Sequence, residues 1–254
     1  MRKPDLFDDI IEVMRREAGR DGRVDVSPAT LGELFAHAEK KKTPVQPAKT
    51  VMVRESPAAE YGASVENREM KRLKHEVAAC KKCKLHITRT NTVFGSGNEK
   101  AELMFIGEAP GRDEDAQGLP FVGKAGELLT RMINAMQFDR SEVYIANIAK
   151  CRPPDNRVPE EDEVKACLPY LEAQIDQIKP KIIVLLGATA LKSLLGDKLQ
   201  ITKVRSTWLE YKGIKVMPTY HPSYLLRNPP AKKDVWEDLQ KVMAAFGKTP
   251  AKKG

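Results

Sequence analysis

AELMFIGEAPGRDEDAQGLPFVGKAGELL, residues 101–129, runs from an unbroken apolar stretch through a glycine-rich loop into a helical pattern. An apolar run this short, closed by Gly107, reads as a strand buried on both faces. Three later segments repeat the pattern: VYIANIAKC (143–151), KIIVLLG (181–187) and IKVMPTYH (214–221). Between them lie helical patterns from about Ala125 to Met136, Pro159 to Ile178 and Ala188 to Leu195. Strands alternating with helices imply an α/β fold, a three-layer α/β/α sandwich around a central four-stranded parallel sheet with right-handed connections. Ligands of such sheets bind beyond the carboxyl ends of the strands. Gly107–Gly111, Asn147–Cys151, Gly187 and His221–Ser223 are therefore expected along one sheet edge.

Outward from this core, the chain divides into four parts. Residues 1–42 form an N-terminal helical extension, with Leu6, Ile10, Ile11 and Met14 at helical spacing and Ser27 capping a second helix. Residues 43–66 are rich in Pro, Lys, Ala and Ser without a period, which describes a flexible linker. Residues 67–246 make the compact domain, and residues 247–254 a basic, disordered tail.

The start, MRKPDLFDDIIEVMRREAGR, carries acids where a secretory signal needs an apolar stretch, and no long apolar run suggests a membrane span. A cytoplasmic location and a monomer are expected. The formal net charge of +8 is uneven, with 11 Lys/Arg against 12 Asp/Glu in residues 1–66 and 32 against 23 beyond them. A basic body suits a polyanion such as nucleic acid, though charge alone does not establish one.

Four cysteines occur as CKKC (80–83), Cys151 and Cys167. In a reducing compartment they are poor disulfide candidates. Two residues between thiols let both face one metal, so the set suits zinc or an iron–sulfur cluster, and spacing does not choose between these or unliganded thiols. The loop GEAPGRDEDAQGLPFVGKAGELL (107–129) offers a backbone that a ligand can approach closely, yet it is not G-x-G-x-x-G and lacks the dinucleotide fingerprint.

GEAPG, GLPFVGKAGELL, HPSYLLR (221–227) and the cysteine pattern, taken together, resemble family 4 uracil-DNA glycosylases, the iron–sulfur branch of the uracil-DNA glycosylase superfamily, over about residues 70–246. The resemblance implies a monofunctional enzyme of base-excision repair that acts on uracil in single- or double-stranded DNA and releases free uracil. It also implies a [4Fe–4S] cluster on Cys80, Cys83, Cys151 and Cys167.

Its site residues carry over one by one. Phe121 stacks on the flipped base, and Asn147 accepts from uracil N3–H while donating to O4, the opposite of what cytosine presents. Glu114 fills the space of the thymine methyl, and Gly107 and Ala109 are further substrate-binding residues, the 107–111 backbone serving the leaving uracil. Glu108 handles the water and the sugar cation, and His221 bonds the uracil O2 side. Leu225 or Leu226 wedges into the duplex, Ser223 and Arg227 hold phosphates, and Arg152 and Arg157 are further phosphate candidates. A covalently trapping relative uses a histidine in an arginine-rich loop; the stretch LQITKVRSTWLEYKG (199–213) has none. The remaining rivals are a non-catalytic cluster-bearing module and a zinc-bound DNA adaptor. Residues 1–66 have no counterpart in the pattern and are a possible dock for a replication or repair protein.

Overall fold

The protein was analysed as a computed structural model that describes residues 67–249. The expected N-terminal helices and the linker fall outside the described residues.

All four apolar runs form strands, each shorter than its run because the last residues leave the sheet. They are β2 (Leu103–Gly107), β3 (Tyr144–Asn147), β4 (Ile182–Leu186) and β6 (Ile214–Thr219). Two short strands, β1 (Ser96–Gly97) and β5 (Leu209–Tyr211), extend the sheet to six in the order β1-β3-β2-β4-β6-β5. The central four are parallel, and β1 and β5 pair antiparallel at the edges. The expected four-stranded sheet is thus its centre. Edge strands of two and three residues are too short to leave a periodic signal in sequence.

Strand alternation sends neighbouring side chains to opposite faces. Met104, Ile106, Ala146, Ile183 and Leu185 join one core with α1 (Asn67–Ala78), α4 (Glu161–Ile178) and α5 (Ala188–Leu195). Leu103, Phe105, Ile145, Val184 and Met217 join the other, under α3 (Lys124–Ala135), α7 (Pro222–Arg227) and α8 (Lys232–Ala245). Two separate cores on one sheet make the three-layer α/β/α arrangement. The short helices α2 (Arg112–Gln117) and α6 (Ile201–Val204) complete it. Helix α8 buries Val235, Leu239, Val242 and Met243 on one stripe, so it closes the second layer. Among the described residues no helix is long and apolar enough to cross a membrane.

The start of the C-terminal tail is placed. Lys248 Nζ lies 3.7 Å from the Phe138 ring centre, and Gln137 donates to the Thr249 carbonyl at 2.8 Å.

Helix α7 resolves the choice of leucine. Leu225 is 1% exposed inside the second core, whereas its neighbour Leu226 is 44% exposed. Leu225 is therefore a core residue, and the surface position belongs to Leu226. Leu225→Ala is expected to cost about 2–5 kcal/mol of stability, and Leu226→Ala to stay within about 0.5 kcal/mol. Urea denaturation of the two variants checks this.

Candidate active site

At the carboxyl ends of the parallel strands lies a cleft of about 520 Å³. Its walls include Glu108, Ala109, Glu114, Phe121, Asn147, His221, Ser223 and Arg227, residues that come from three separate stretches of chain.

The floor is set by a close pairing. Gly107 and Asn147 are register partners on β2 and β3. A Cβ on Gly107 would sit 2.5 Å from Asn147 Oδ1 and 2.6 Å from Phe121 Cζ, so only glycine leaves room for both side chains. Asn147 is 2% exposed, and its Oδ1 has no hydrogen-bond partner in the protein. A buried amide oxygen left unpaired is costly, and in native proteins calls for an explanation.

Phe121 reaches the floor from an unusual backbone. Its φ of 53° lies in the left-handed region, at a cost of about 1–2 kcal/mol for a residue with a Cβ. Its ring centre is 5.6 Å from that of His221, with 32° between the planes.

His221 precedes α7 and caps it, its Nδ1 accepting from the Ser223 N–H at 3.1 Å. With Nδ1 occupied as an acceptor, the neutral ring carries its proton on Nε2. Burial, with a smaller contribution from the Arg227 charge, pushes His221 down to about 4. Glu108 follows β2 and accepts from the Thr189 hydroxyl in the first turn of α5, which fixes its carboxylate. Gly187, at φ 92°, lets α5 start directly at the end of β4, with His221 Cβ only 3.1 Å from where its own Cβ would lie.

Glu114 lines the cleft, and its carboxylate is engaged with backbone. Oε2 accepts from the Gly111 N–H at 3.1 Å, and Oε1 from the N–H groups of Val122 and Gly123 at 3.0 and 3.1 Å.

Asn156, Arg157 and Val158, from the loop after β3, add a further wall. Asp155 and Asn156 are both left-handed, and Arg157 grips Glu163 with two bonds of 2.8 and 2.7 Å. Arg157 lines the cleft, while Arg152 bonds Asn156 at 2.7 Å. Val158 and Tyr224 also line the cleft and are exposed. Neither carries a chemical signal in sequence, nor does Thr189, whose role exists only through the fold.

The cysteines lie apart from the cleft. All four are free thiols lining a single second cavity with Lys150, Arg89, His86 and Tyr170. The four thiols share one space, so these are the residues that could hold a metal ion or cluster. Two donors already face the sulfurs. Arg89 reaches Cys151 at 3.1 Å, and the Lys150 backbone N–H reaches Cys167 at 3.2 Å. The Lys150 side chain is 1% exposed, and its Nζ donates to the Asn147 carbonyl and to Gln174 at 2.9 and 2.6 Å. Burial pushes that amine down to about 8 and the Cys167 thiol up to about 11.

Residues 94–240 match the family model of the uracil DNA glycosylase superfamily. The chain belongs to that superfamily. Within it, the chain is 52% identical over 182 residues to a type-4 uracil-DNA glycosylase of Sulfurisphaera tokodaii, covering 68% of this chain and 83% of the relative. It is 51% identical over 185 residues to that of Saccharolobus solfataricus, covering 69% and 85%. It is 46% identical over 183 residues to that of Thermotoga maritima, covering 70% and 95%.

The depressed His221 value fixes a pH dependence. The folded imidazole stays neutral well below its ordinary 6.5. Unfolded chain therefore binds the extra proton first, and stability falls as pH drops from about 6.5 toward 4. Replacing His221 with Asn is expected to flatten that part of a stability–pH profile, as measured by thermal melting from pH 4 to 8 at about half-unit steps.

Proposed function

We propose that this chain flips uracil out of DNA and hydrolyses its N-glycosidic bond, leaving an abasic site and free uracil. The observation that carries the reading is the unpaired Asn147 Oδ1, buried at the floor of a cleft that also holds Phe121, Glu108 and His221.

A base stacked in a duplex is out of reach, so an enzyme acting on it takes the nucleotide into a pocket. Phe121 offers a ring for the extruded base, a contact worth about 1–3 kcal/mol. Asn147 Oδ1 accepts the uracil N3–H, the partner it otherwise lacks, and the amide nitrogen donates to O4. Cytosine offers an acceptor at N3 and a donor at C4, and meets the amide with the wrong polarity. Glu114, held by three backbone N–H groups, stands where the thymine methyl would need space.

Bond cleavage leaves positive charge on the sugar and negative charge on the departing base. Glu108, fixed by Thr189, orients water and faces the sugar cation. His221 presents Nε2–H to uracil O2, and as a neutral donor it adds no net charge to the site before reaction. Gly107 and Ala109 bring backbone alongside the base. Leu226 fills the vacated stack, while Ser223 and Arg227 hold phosphates.

The same reading assigns Cys80, Cys83, Cys151 and Cys167 to a [4Fe–4S] cluster. When bound, the cluster supplies iron–thiolate bonds that tie the end of α1 to the exit of β3 and to α4. It takes no part in the hydrolysis.

Incubation with a uracil-containing oligonucleotide is expected to produce alkali-labile abasic sites. Failure to release uracil from both single- and double-stranded substrates would refute the function. Asn147→Asp should lower kcat/KM for uracil by about 10- to 100-fold, the range for a lost hydrogen bond to a charged or strongly polarised group; an unchanged rate removes Asn147 from the base pocket. Purified protein should contain about four irons per chain, and a stoichiometric zinc content with no iron would replace the cluster by zinc.

A further inference from the structure

The turn Pro120–Phe121–Val122–Gly123 is clamped from two sides. On one, the Glu114 carboxylate accepts the N–H groups of Val122 and Gly123. On the other, the Arg140 guanidinium donates to the Pro120 carbonyl at 2.7 Å and the Phe121 carbonyl at 3.0 Å. Its second arm bonds the Thr130 hydroxyl at 2.9 Å, and that hydroxyl donates to the Gly126 carbonyl at 3.0 Å. Gly126 itself meets the turn, since a Cβ there would fall 1.9 Å from the Phe121 oxygen. The turn is thus pinned to α3 by backbone contact and to Arg140 by two bonds from Nη2, while Nη1 anchors the guanidinium to Thr130.

Two features separate this from ordinary loop bracing. Phe121 is held left-handed, a conformation that is unusual and strained for a bulky aromatic side chain. Arg140 is half-buried, and its direct bonds go to the turn and to Thr130. A partly desolvated cation aimed at carbonyl oxygens is a costly way to hold a loop unless the geometry of that loop matters.

We propose that Arg140 is a positioning residue for base stacking: it holds the Phe121 backbone in the strained turn that lays the ring on the floor of the cleft. Arg140 does not reach the base. It acts through Phe121, with Glu114 as its counterpart on the N–H side. The proposal rests on the uracil-excision reading of the cleft.

The test compares the full chain with Arg140→Met, Arg140→Lys, Phe121→Leu and the Phe121→Leu/Arg140→Met double variant. Each is assayed on a single-stranded uracil oligonucleotide for kcat and KM separately, for inhibition by free uracil, and for thermal melting. Arg140→Met is expected to lower kcat/KM by roughly tenfold, inside the range of one lost base stack, and to weaken inhibition by uracil by a similar factor. Lysine, which keeps the charge without the planar fork, should recover part of both. On the Phe121→Leu background, Arg140→Met should cost less than about twofold, because residues acting as one unit are not additive.

Effects of the two substitutions that multiply would overturn the proposal. So would a folded Arg140→Met variant with unaltered kcat/KM and uracil inhibition. If Arg140→Met does not fold, the cycle is read with Arg140→Lys instead, and failure of both to fold assigns Arg140 to folding and also overturns it. Absence of uracil release by the unsubstituted chain tells against the functional reading, a result distinct from any of these.

Discussion

The in-register pairing of Gly107 with Asn147 is the contact on which the site depends. Parallel hydrogen bonding between β2 and β3 brings the two Cα atoms side by side at the carboxyl edge. The missing side chain of Gly107 then becomes the space in which the Asn147 amide and the Phe121 ring both lie. A one-residue slip would turn the amide to the opposite face of the sheet. The long apolar runs of β2, β3 and β4, buried on both faces, make the register firm.

That edge is stiffened from behind. Cys151 follows Asn147 closely, and between them Lys150 runs into the interior, its amine on the Asn147 carbonyl and its own N–H on Cys167. Gln174 continues the chain of bonds to the Phe94 carbonyl at 2.9 Å and to the Tyr144 hydroxyl at 3.1 Å. The cysteine cavity and the Asn147 amide therefore share one strand exit. The two cavities are separate in lining, yet Asn147 lines one, and Lys150 and Cys151, a few residues on, line the other.

The sheet was legible in sequence because buried parallel strands are unbroken apolar runs, as KIIVLLG and AELMFIG are. Helix α8 was not expected from the sequence, because it carries no motif, although its stripe of Val235, Leu239 and Val242 is buried. Edge strands β1 and β5 had no such trace. In the site, residues with chemistry of their own were legible through their motifs, Glu108, Phe121, Asn147 and His221 among them, and the cleft collects all four. Residues that work by contact were not. Thr189 and Arg140 are ordinary in sequence and acquire meaning only from what the fold sets against them. Leu225 and Leu226 are indistinguishable by type, and only the angle of α7 on the core separates them.

Those adjacent leucines have a mechanical consequence. A side chain that displaces a stacked base is pushed back by the duplex, and a wedge on a compliant loop would bend away under that load. Leu226 stands on a helical turn whose next residue toward the N-terminus, Leu225, is locked among Leu239, Val184 and the other members of the second core. With Leu226 as the proposed wedge, such a load would pass through one peptide bond into a residue buried in the second core.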